Sequence, residues 1–497
     1  MPEARYFLGS TVVWGGSSGL FGRVSLRAAY VLLLGAFLGL AWVKFGNPVV
    51  LDGNLDAPQS LAEFAEWPWP LRWGFVGFLP VAIAGFALTR PASLWREHRG
   101  VPARGWLVVL PLLWLGWQFL SGQRSMDAAL TALVLPHFTA TVAAFFLGYF
   151  LLRDPAIQQW LWPGLMVALV YCLIRATNQY AVEFPRSLAE YRESDRMGWT
   201  NAMPKDLAEL RRMNLVIETN GVPQTNPIIL RKLEKRRVFG TLVYPNALAA
   251  GLLLLLPAAL VLAWSRTETL RPPLRKMVFG LLLLLGTTSF FLTGSKAGWL
   301  VALLVAGVAV LCRVPDVRLR WWTVAGVIGL GMGIFFVRHA GYFQQGATSA
   351  SARLDYWQAA WRTAASHPWW GTGPGTFQRP YAAMKSPEQE MARMVHNDYL
   401  EQASDSGWPA AVLYTVWVGL LLWTLGRVYA KPGRDADPLS LAIWLGLLGW
   451  FLQSFAEFTL YIPALAWLAF LFAGKLLGQA ETRVLSGAVP SGARSVQ

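Results

Sequence analysis

Long apolar runs separated by short polar connections dominate the chain. A helix crossing a bilayer core needs about 20 mostly apolar residues. Twelve stretches approach that length: 28–43, 71–89, 105–120, 127–152, 157–176, 239–264, 277–293, 297–312, 321–338, 408–426, 439–456 and 458–475. The third is short, and the last two are parted by almost nothing, with Pro463 marking a break. Two connections, 177–238 and 339–407, far exceed the roughly 15 residues beyond which a loop is normally functional or disordered. The pattern predicts an all-α polytopic membrane protein in six blocks. Spans one to five fill 1–176, a loop follows at 177–238, and spans six to nine fill 239–338. A large loop at 339–407, spans ten to twelve in 408–476 and a polar tail at 477–497 complete it.

Composition removes the alternatives. Hydrophobic residues are 55% of the 497 and charged residues only 14%, against about 25% charged in an ordinary soluble domain. No polar shell can be built around that much apolar surface, so soluble, disordered, coiled-coil and disulfide-stapled classes are excluded. Cys172 and Cys312 both sit in apolar runs and read as small core hydrophobes. The net charge of +15 changes the picture through its placement. With the N-terminus in the cytoplasm, connections 90–104, 153–156, 265–276, 313–320 and 427–438 carry fifteen Lys and Arg, while the short opposite connections hold only Lys44, Arg124 and Lys296. Short-loop Lys and Arg stay inside, so the expected topology has both termini cytoplasmic. The excess charge is a topology signal and implies no nucleic-acid partner. Arg23 and Arg27 precede the first span, but no small-x-small cleavage pattern follows near Trp42–Lys44, which reads as a retained anchor.

Candidate chemistry gathers in the two long connections. In the second, Leu354, Trp357 and Trp361 recur at helical spacing after Ser351, a candidate N-cap. This helix suits either the lipid–water interface or packing against the spans. It stops at His367-Pro368, and Trp369–Gly375 follows. That glycine run reads as a rigid turn, because no strand precedes it and no Lys-Ser/Thr follows. Of the five histidines, His98 lies in a basic connection, His137 inside an apolar span, and His339 and His367 at helix ends. His396 precedes a span among polar residues and reads as either a general base or a polar residue at a helix start. His396, Asp398 and Glu401 are spaced i, i+2, i+5, which does not put three ligands on one helical face, so no metal is expected. Arg236, Arg237 and Lys296 read either as snorkelling cations or as an anion site. The topology puts Arg237, Lys296 and His396 on one face of the membrane. Asn246, about two turns into the sixth span, needs a polar partner there.

Taken together these residues resemble the O-antigen ligase and polymerase family. The resemblance rests on His396-Asn397 with Gly407, on Arg237-x-x-Gly-Thr followed by Pro245-Asn246, and on Ser295-Lys-Ala-Gly-Trp299. The helix Arg353–Trp361 with Pro368, Gly371 and Gly373 also fits. The resemblance implies a GT-C-like membrane glycosyltransferase in the bacterial inner (cytoplasmic) membrane, with its site facing the periplasm. Such an enzyme transfers a glycan from an undecaprenyl-pyrophosphate carrier to an acceptor, without nucleotide or metal cofactor. For ligases the acceptor is lipid A–core; for polymerases it is another carrier-linked repeat. Ligase-like transfer is the favoured expectation, and a lipid-linked polysaccharide transporter is the competing class. Lys296 departs from the family's usual arginine; it can neutralise a phosphate but cannot grip it with a bidentate fork. Fixed cations stabilise a departing pyrophosphate, a role expected of Arg237 and Lys296, with Arg236 a further candidate. A neutral imidazole takes the proton of the attacking hydroxyl, the role expected of His396, with inversion at the sugar carbon. Asn397, Asp398, Tyr399, Glu401 and Asn246 are expected to support these groups.

Overall fold

The computed structural model describes residues 25–487 apart from 90–101, 201–202, 213, 220, 315, 345–347, 388, 390 and 431–436. The basic connections around Arg90–Arg99 and Lys431–Arg434, and the tail end, therefore lie outside the described residues. The protein is an all-α, polytopic membrane protein. The chain runs through α1 (Leu26–Lys44), α2 (Leu71–Thr89), α3 (Pro102–Gly122), α4 (Ala128–Leu151), α5 (Trp162–Asn178), α6 (Phe184–Arg196), α7 (Pro204–Arg212) and α8 (Pro227–Lys235). It continues through α9 (Pro245–Ser265), α10 (Pro272–Leu292), α11 (Lys296–Arg313), α12 (Val317–Gln344), α13 (Thr348–Ser366) and α14 (Gln378–Met384). It closes with α15 (Asp398–Tyr429), α16 (Pro438–Gln453) and α17 (Pro463–Gly487). Among the described residues, eleven helices are long and apolar enough to cross a membrane. Each expected span falls on a helix. The odd one is α16, whose 16 residues rise only about 24 Å, short of the roughly 30 Å hydrocarbon core.

Burial sorts these helices. The apolar window of α17 is wholly buried and that of α9 is 72% buried, whereas those of α10 and α12 are only 17% buried. α17 runs through the centre against α4. A side chain on Gly148 would strike the Leu471 carbonyl, and one on Gly474 the Phe145 carbonyl, so glycine lets these two backbones meet. Cys172 and Cys312 are buried and free.

Three boundaries differ from the sequence expectation in ways that shape the site. The sixth span does not start at 239; residues 236–244 form an irregular entrance with Arg236 and Val243 at positive φ, and helix begins at Pro245. Asn246 therefore sits in the first turn of α9 and not two turns inside it. The tenth span starts at Asp398, directly after the His396 motif, and is broken at Gly407 (φ 80°, ψ 171°). The last span starts at Pro463, leaving 454–462 as a connecting turn. In addition, α5 runs through a π-helical turn at Gln179–Glu183 into α6. An antiparallel hairpin, β1 (Val216–Thr219) with β2 (Val222–Thr225), pairs Val216 with Thr225. α13 begins at Thr348, so Ser351 lies inside it and is no cap.

Alternating helices bring several termini to one end, tied by backbone hydrogen bonds. Ala464 N–H donates to Phe45 O (3.1 Å), Val238 N–H to Leu292 O (3.2 Å), Met126 N–H to Thr372 O (2.8 Å) and Asp398 N–H to Ser454 O (2.9 Å). Arg237, Asn246, Lys296 and His396 lie at this end.

Candidate active site

The His396 motif is built by the start of α15. Asn397 is its N-cap, its side-chain oxygen accepting from Tyr399 N–H and Leu400 N–H, both at 3.1 Å. Asn397 is thus structural. His396, one residue earlier, has φ 57°, a left-handed conformation that costs a residue with a Cβ roughly 1–2 kcal/mol. The Asn397 cap and the Asp398 N–H bond to Ser454 on its C-terminal side, and the Val395 N–H bond to Glu401 on its N-terminal side, hold it there. Its ring packs edge-on against Phe458 (4.7 Å between centroids) and alongside Tyr356 (5.9 Å).

The carboxylate that meets His396 is Glu457, in the 454–462 turn. Its Oε2 lies 3.3 Å from His396 Nδ1. Its Oε1 accepts from Arg353 Nη2 and from Asn246 Nδ2, each at 2.5 Å. Asn246 passes the connection on, because its Oδ1 accepts from Arg237 Nη2 at 2.8 Å. Arg237 also donates Nε–H to Thr293 O at 2.7 Å, which locks it against the turn that leads into Lys296. Three of its five N–H donors remain beyond these two bonds. Lys296, the first residue of α11, lies within electrostatic reach of Arg237, Lys235 and Arg353.

Electrostatics fix the state of the carboxylate. Burial pushes the Glu457 carboxyl upward, but the His396 hydrogen bond and the charges of His396, Arg353 and Arg237 outweigh it and hold it below the usual glutamate range. Burial lowers the Arg237 guanidinium, with Arg353 adding to that and Glu457 opposing it. Glu457 is 4% exposed, whereas His396 is 29% exposed. The anion is sealed in and the imidazole faces an opening.

The other sequence candidates fall elsewhere. Arg236 caps α8 in a left-handed conformation, with its guanidinium 5.9 Å from the Tyr180 ring; it is not bonded into the Glu457 network. Asp398 and Glu401 point away from the imidazole. Asp398 Oδ2 accepts from the Thr459 hydroxyl (3.0 Å) and Leu460 N–H (2.9 Å). Glu401 Oε2 accepts from Val395 N–H at 3.3 Å. Asp398 thereby fastens the turn that carries Glu457, and Glu401 braces the irregular segment that carries His396. Tyr399 gives its hydroxyl to Phe451 O (2.9 Å). His137 is a buried core histidine bonded to Leu460 O at 2.7 Å. The glycine run is a rigid turn fastened to Asp405 of its own protein: Gly375 N–H donates to the side-chain Oδ2 (2.7 Å) and Gly373 N–H to the backbone carbonyl (2.7 Å). On α13, Tyr356, Ala359 and Ala360 face inward, while Leu354 and Trp361 are exposed.

Sequence reasoning missed Glu457 and gave Arg353 no role. Glu457 was hidden in the few residues between two spans. The one available signal was a carboxylate in an otherwise apolar stretch, Phe455–Leu460, which in a membrane protein is costly unless paired.

The protein is thus a multi-pass helical bundle with a histidine, a carboxylate and cations gathered at one end. Residues 279–415 match the family model described as O-Antigen ligase. That stretch is similar to O-antigen ligases, a glycosyltransferase-like family, in line with the motif resemblance, and supports an O-antigen ligase- or polymerase-like function. The match takes in Lys296, Arg353 and His396; Arg237, Asn246 and Glu457 lie outside it. No curated protein matches the chain.

Proposed function

We propose that this protein transfers a glycan from an undecaprenyl-pyrophosphate carrier to an acceptor hydroxyl at the periplasmic face of the inner membrane, with inversion, in the manner of an O-antigen ligase. The observation that carries the proposal is the Arg237–Asn246–Glu457–His396 chain of contacts, which joins the cation candidate Arg237 to the base candidate through one buried anion. A carrier diphosphate is an activated leaving group, so the transfer draws on no nucleotide. In the proposed mechanism Glu457 accepts the Nδ1–H of His396, fixing the tautomer whose Nε2 lone pair takes the proton of the acceptor hydroxyl. The hydroxyl oxygen attacks the anomeric carbon from the face opposite the diphosphate. The carbon–oxygen bond to the diphosphate breaks, and its electron pair leaves with the carrier. Arg237 and Lys296 neutralise the charge that grows on that leaving group, where preorganised donors lower the barrier most. The acceptor is a lipid A–core-type glycan; use of a second carrier-linked repeat is the polymerase outcome of the same test.

The test is reconstitution. Purified protein in liposomes receives carrier-linked glycan and either acceptor, and product mobility is followed on gels. Turnover in the wild type that vanishes in His396→Ala, with melting behaviour retained, is the expected result. Full turnover in His396→Ala overturns the mechanism, and passage of intact carrier lipid without a new glycosidic bond overturns the enzyme class.

A further inference from the structure

A cleft of about 730 Å³ lies between α9, α10, α11 and α16. Its walls offer almost only carbon. Leu252 and Leu256 come from α9, Phe290 from α10, Trp299 and Ala302 from α11 and Leu445 from α16. Thr287 turns its hydroxyl back to Leu283 O (2.7 Å), and Trp299 gives its indole N–H to Gly331 O (3.3 Å). From Trp299 to Ala309 the lining descends α11 by about 15 Å, half the roughly 30 Å thickness of the hydrocarbon core. The inner wall is the buried α9; the outer walls, α10 and α11, are mostly exposed helices. Phe291, which lines the cleft, is itself 37% exposed. The cleft therefore opens sideways toward lipid.

What sits at its upper end narrows the occupant. Phe291 is two residues before Thr293, whose carbonyl holds Arg237. Trp299 is three residues after Lys296, less than one helical turn away. The Arg338 guanidinium rests 4.7 Å over the Phe291 ring, adding a cation at the same lip. On α16, Leu445, Gly449 and Gln453 follow at steps of four on one side of the helix. Gly449 lies against Leu253 and Val305 of the cleft wall. Gln453, one turn further toward the cations, is fully buried with neither its amide nitrogen nor its oxygen hydrogen-bonded. An unpaired buried amide there is costly and is suited to a polar head entering from above.

We infer that this cleft seats the polyisoprenoid tail of the donor, directing the diphosphate to Arg237, Lys296 and Arg338 with Gln453 beneath it, and that the small residues Ala302, Ala306 and Ala309 set its width. The inference rests on the donor class proposed above. Any tail joined to a diphosphate at Arg237 and Lys296 must leave the site into hydrocarbon, and this apolar channel begins within a turn of both.

The experiment uses the full-length protein in nanodiscs and a polyprenyl phosphate carrying a photoreactive group on its tail. After illumination, labelled peptides are identified by mass spectrometry. Labelling on 287–309 is expected. In Ala306→Phe, with Ala306→Leu as a milder filler, labelling should fall and KM for a long-tailed glycosyl diphosphate donor should rise about tenfold. Turnover of a short-tailed donor should be unchanged. Labelling confined to other helices, or abolished by an equal excess of phosphatidylglycerol, overturns the inference, as does a crosslink through the cleft to a second copy of the chain. Cleft labelling in a protein that transfers no glycan from any donor supports the tail site while sinking the glycosyltransferase reading. Transfer with an unlabelled cleft does the reverse.

Discussion

Replacing Glu457 by glutamine alters one functional group and reverses the polarity of its contact with His396. In the wild type, a carboxylate kept ionised by Arg353, Arg237 and His396 can only accept at His396 Nδ1. The proton then sits on Nδ1 and Nε2 has the lone pair. In Glu457→Gln the amide oxygen still accepts from Arg353 and Asn246, so the amide nitrogen faces the imidazole and donates to Nδ1. The proton moves to Nε2, and the ring loses its basic atom toward substrate. The expected loss is that of a general base, roughly 10²–10⁴-fold in kcat, or about 2.7–5.4 kcal/mol of barrier, with KM little changed. Alanine is the less informative change. It leaves the Arg353 guanidinium, only 21% exposed, facing a void, and breaking such a buried pair costs about 3–5 kcal/mol in stability. The assay is single-turnover transfer with the donor saturating, on protein whose melting temperature lies close to the wild type. A Glu457→Gln enzyme with kcat within a few-fold of wild type would refute the reasoning, because the tautomer would then not matter.

Other consequences are equally open to measurement. Arg237→Lys keeps the charge but cannot hold Thr293 O and Asn246 Oδ1 together; kcat/KM should fall by about 10²–10³-fold, and recovery to wild-type rates would remove the fork from the argument. At Gly407 (φ 80°, ψ 171°) a Cβ would strike the Trp369 carbonyl. Gly407→Ala should therefore lose more than the roughly 1–3 kcal/mol of backbone strain alone, seen as a lowered melting temperature in detergent. The folded pKa of Glu457 lies below the ordinary value of 4.5. Its stabilisation is complete above about that pH and is lost as pH falls through the lower folded value. Melting temperature should show no pH dependence from this group between about pH 8 and 5, then an acid decline that is shallower in Glu457→Gln; equal slopes would contradict the network.

What the one-dimensional pattern determined is the class of protein and its candidate chemistry. Spans are legible because hydrocarbon tolerates only backbones that bond to themselves, so each crossing shows as an uninterrupted apolar run. The motif residues are legible because they are polar groups flanking long apolar runs in the order of a known family pattern, at 237–246, 295–299 and 396–407. Boundaries were less legible where polar residues belong to a helix. The start of α15, Asp398–Ser406, is polar in composition yet almost entirely buried, so a hydropathy reading places it in a loop. The hairpin at Val216–Thr225 is too short to carry a periodic signal.

Only the folded chain decided which polar groups share a bond. Residues 237, 246, 353, 396 and 457 come from four separate helix ends, and no spacing rule links them. Asp398 and Glu401, beside His396 in sequence, are turned from it by the helix that Asn397 starts. Glu457, 61 residues away, is carried to it by the turn that Asp398 pins. A buried anion must be satisfied wherever donors are within reach, and in a bundle that reach is set by how the helices pack, which the order of residues along the chain does not state.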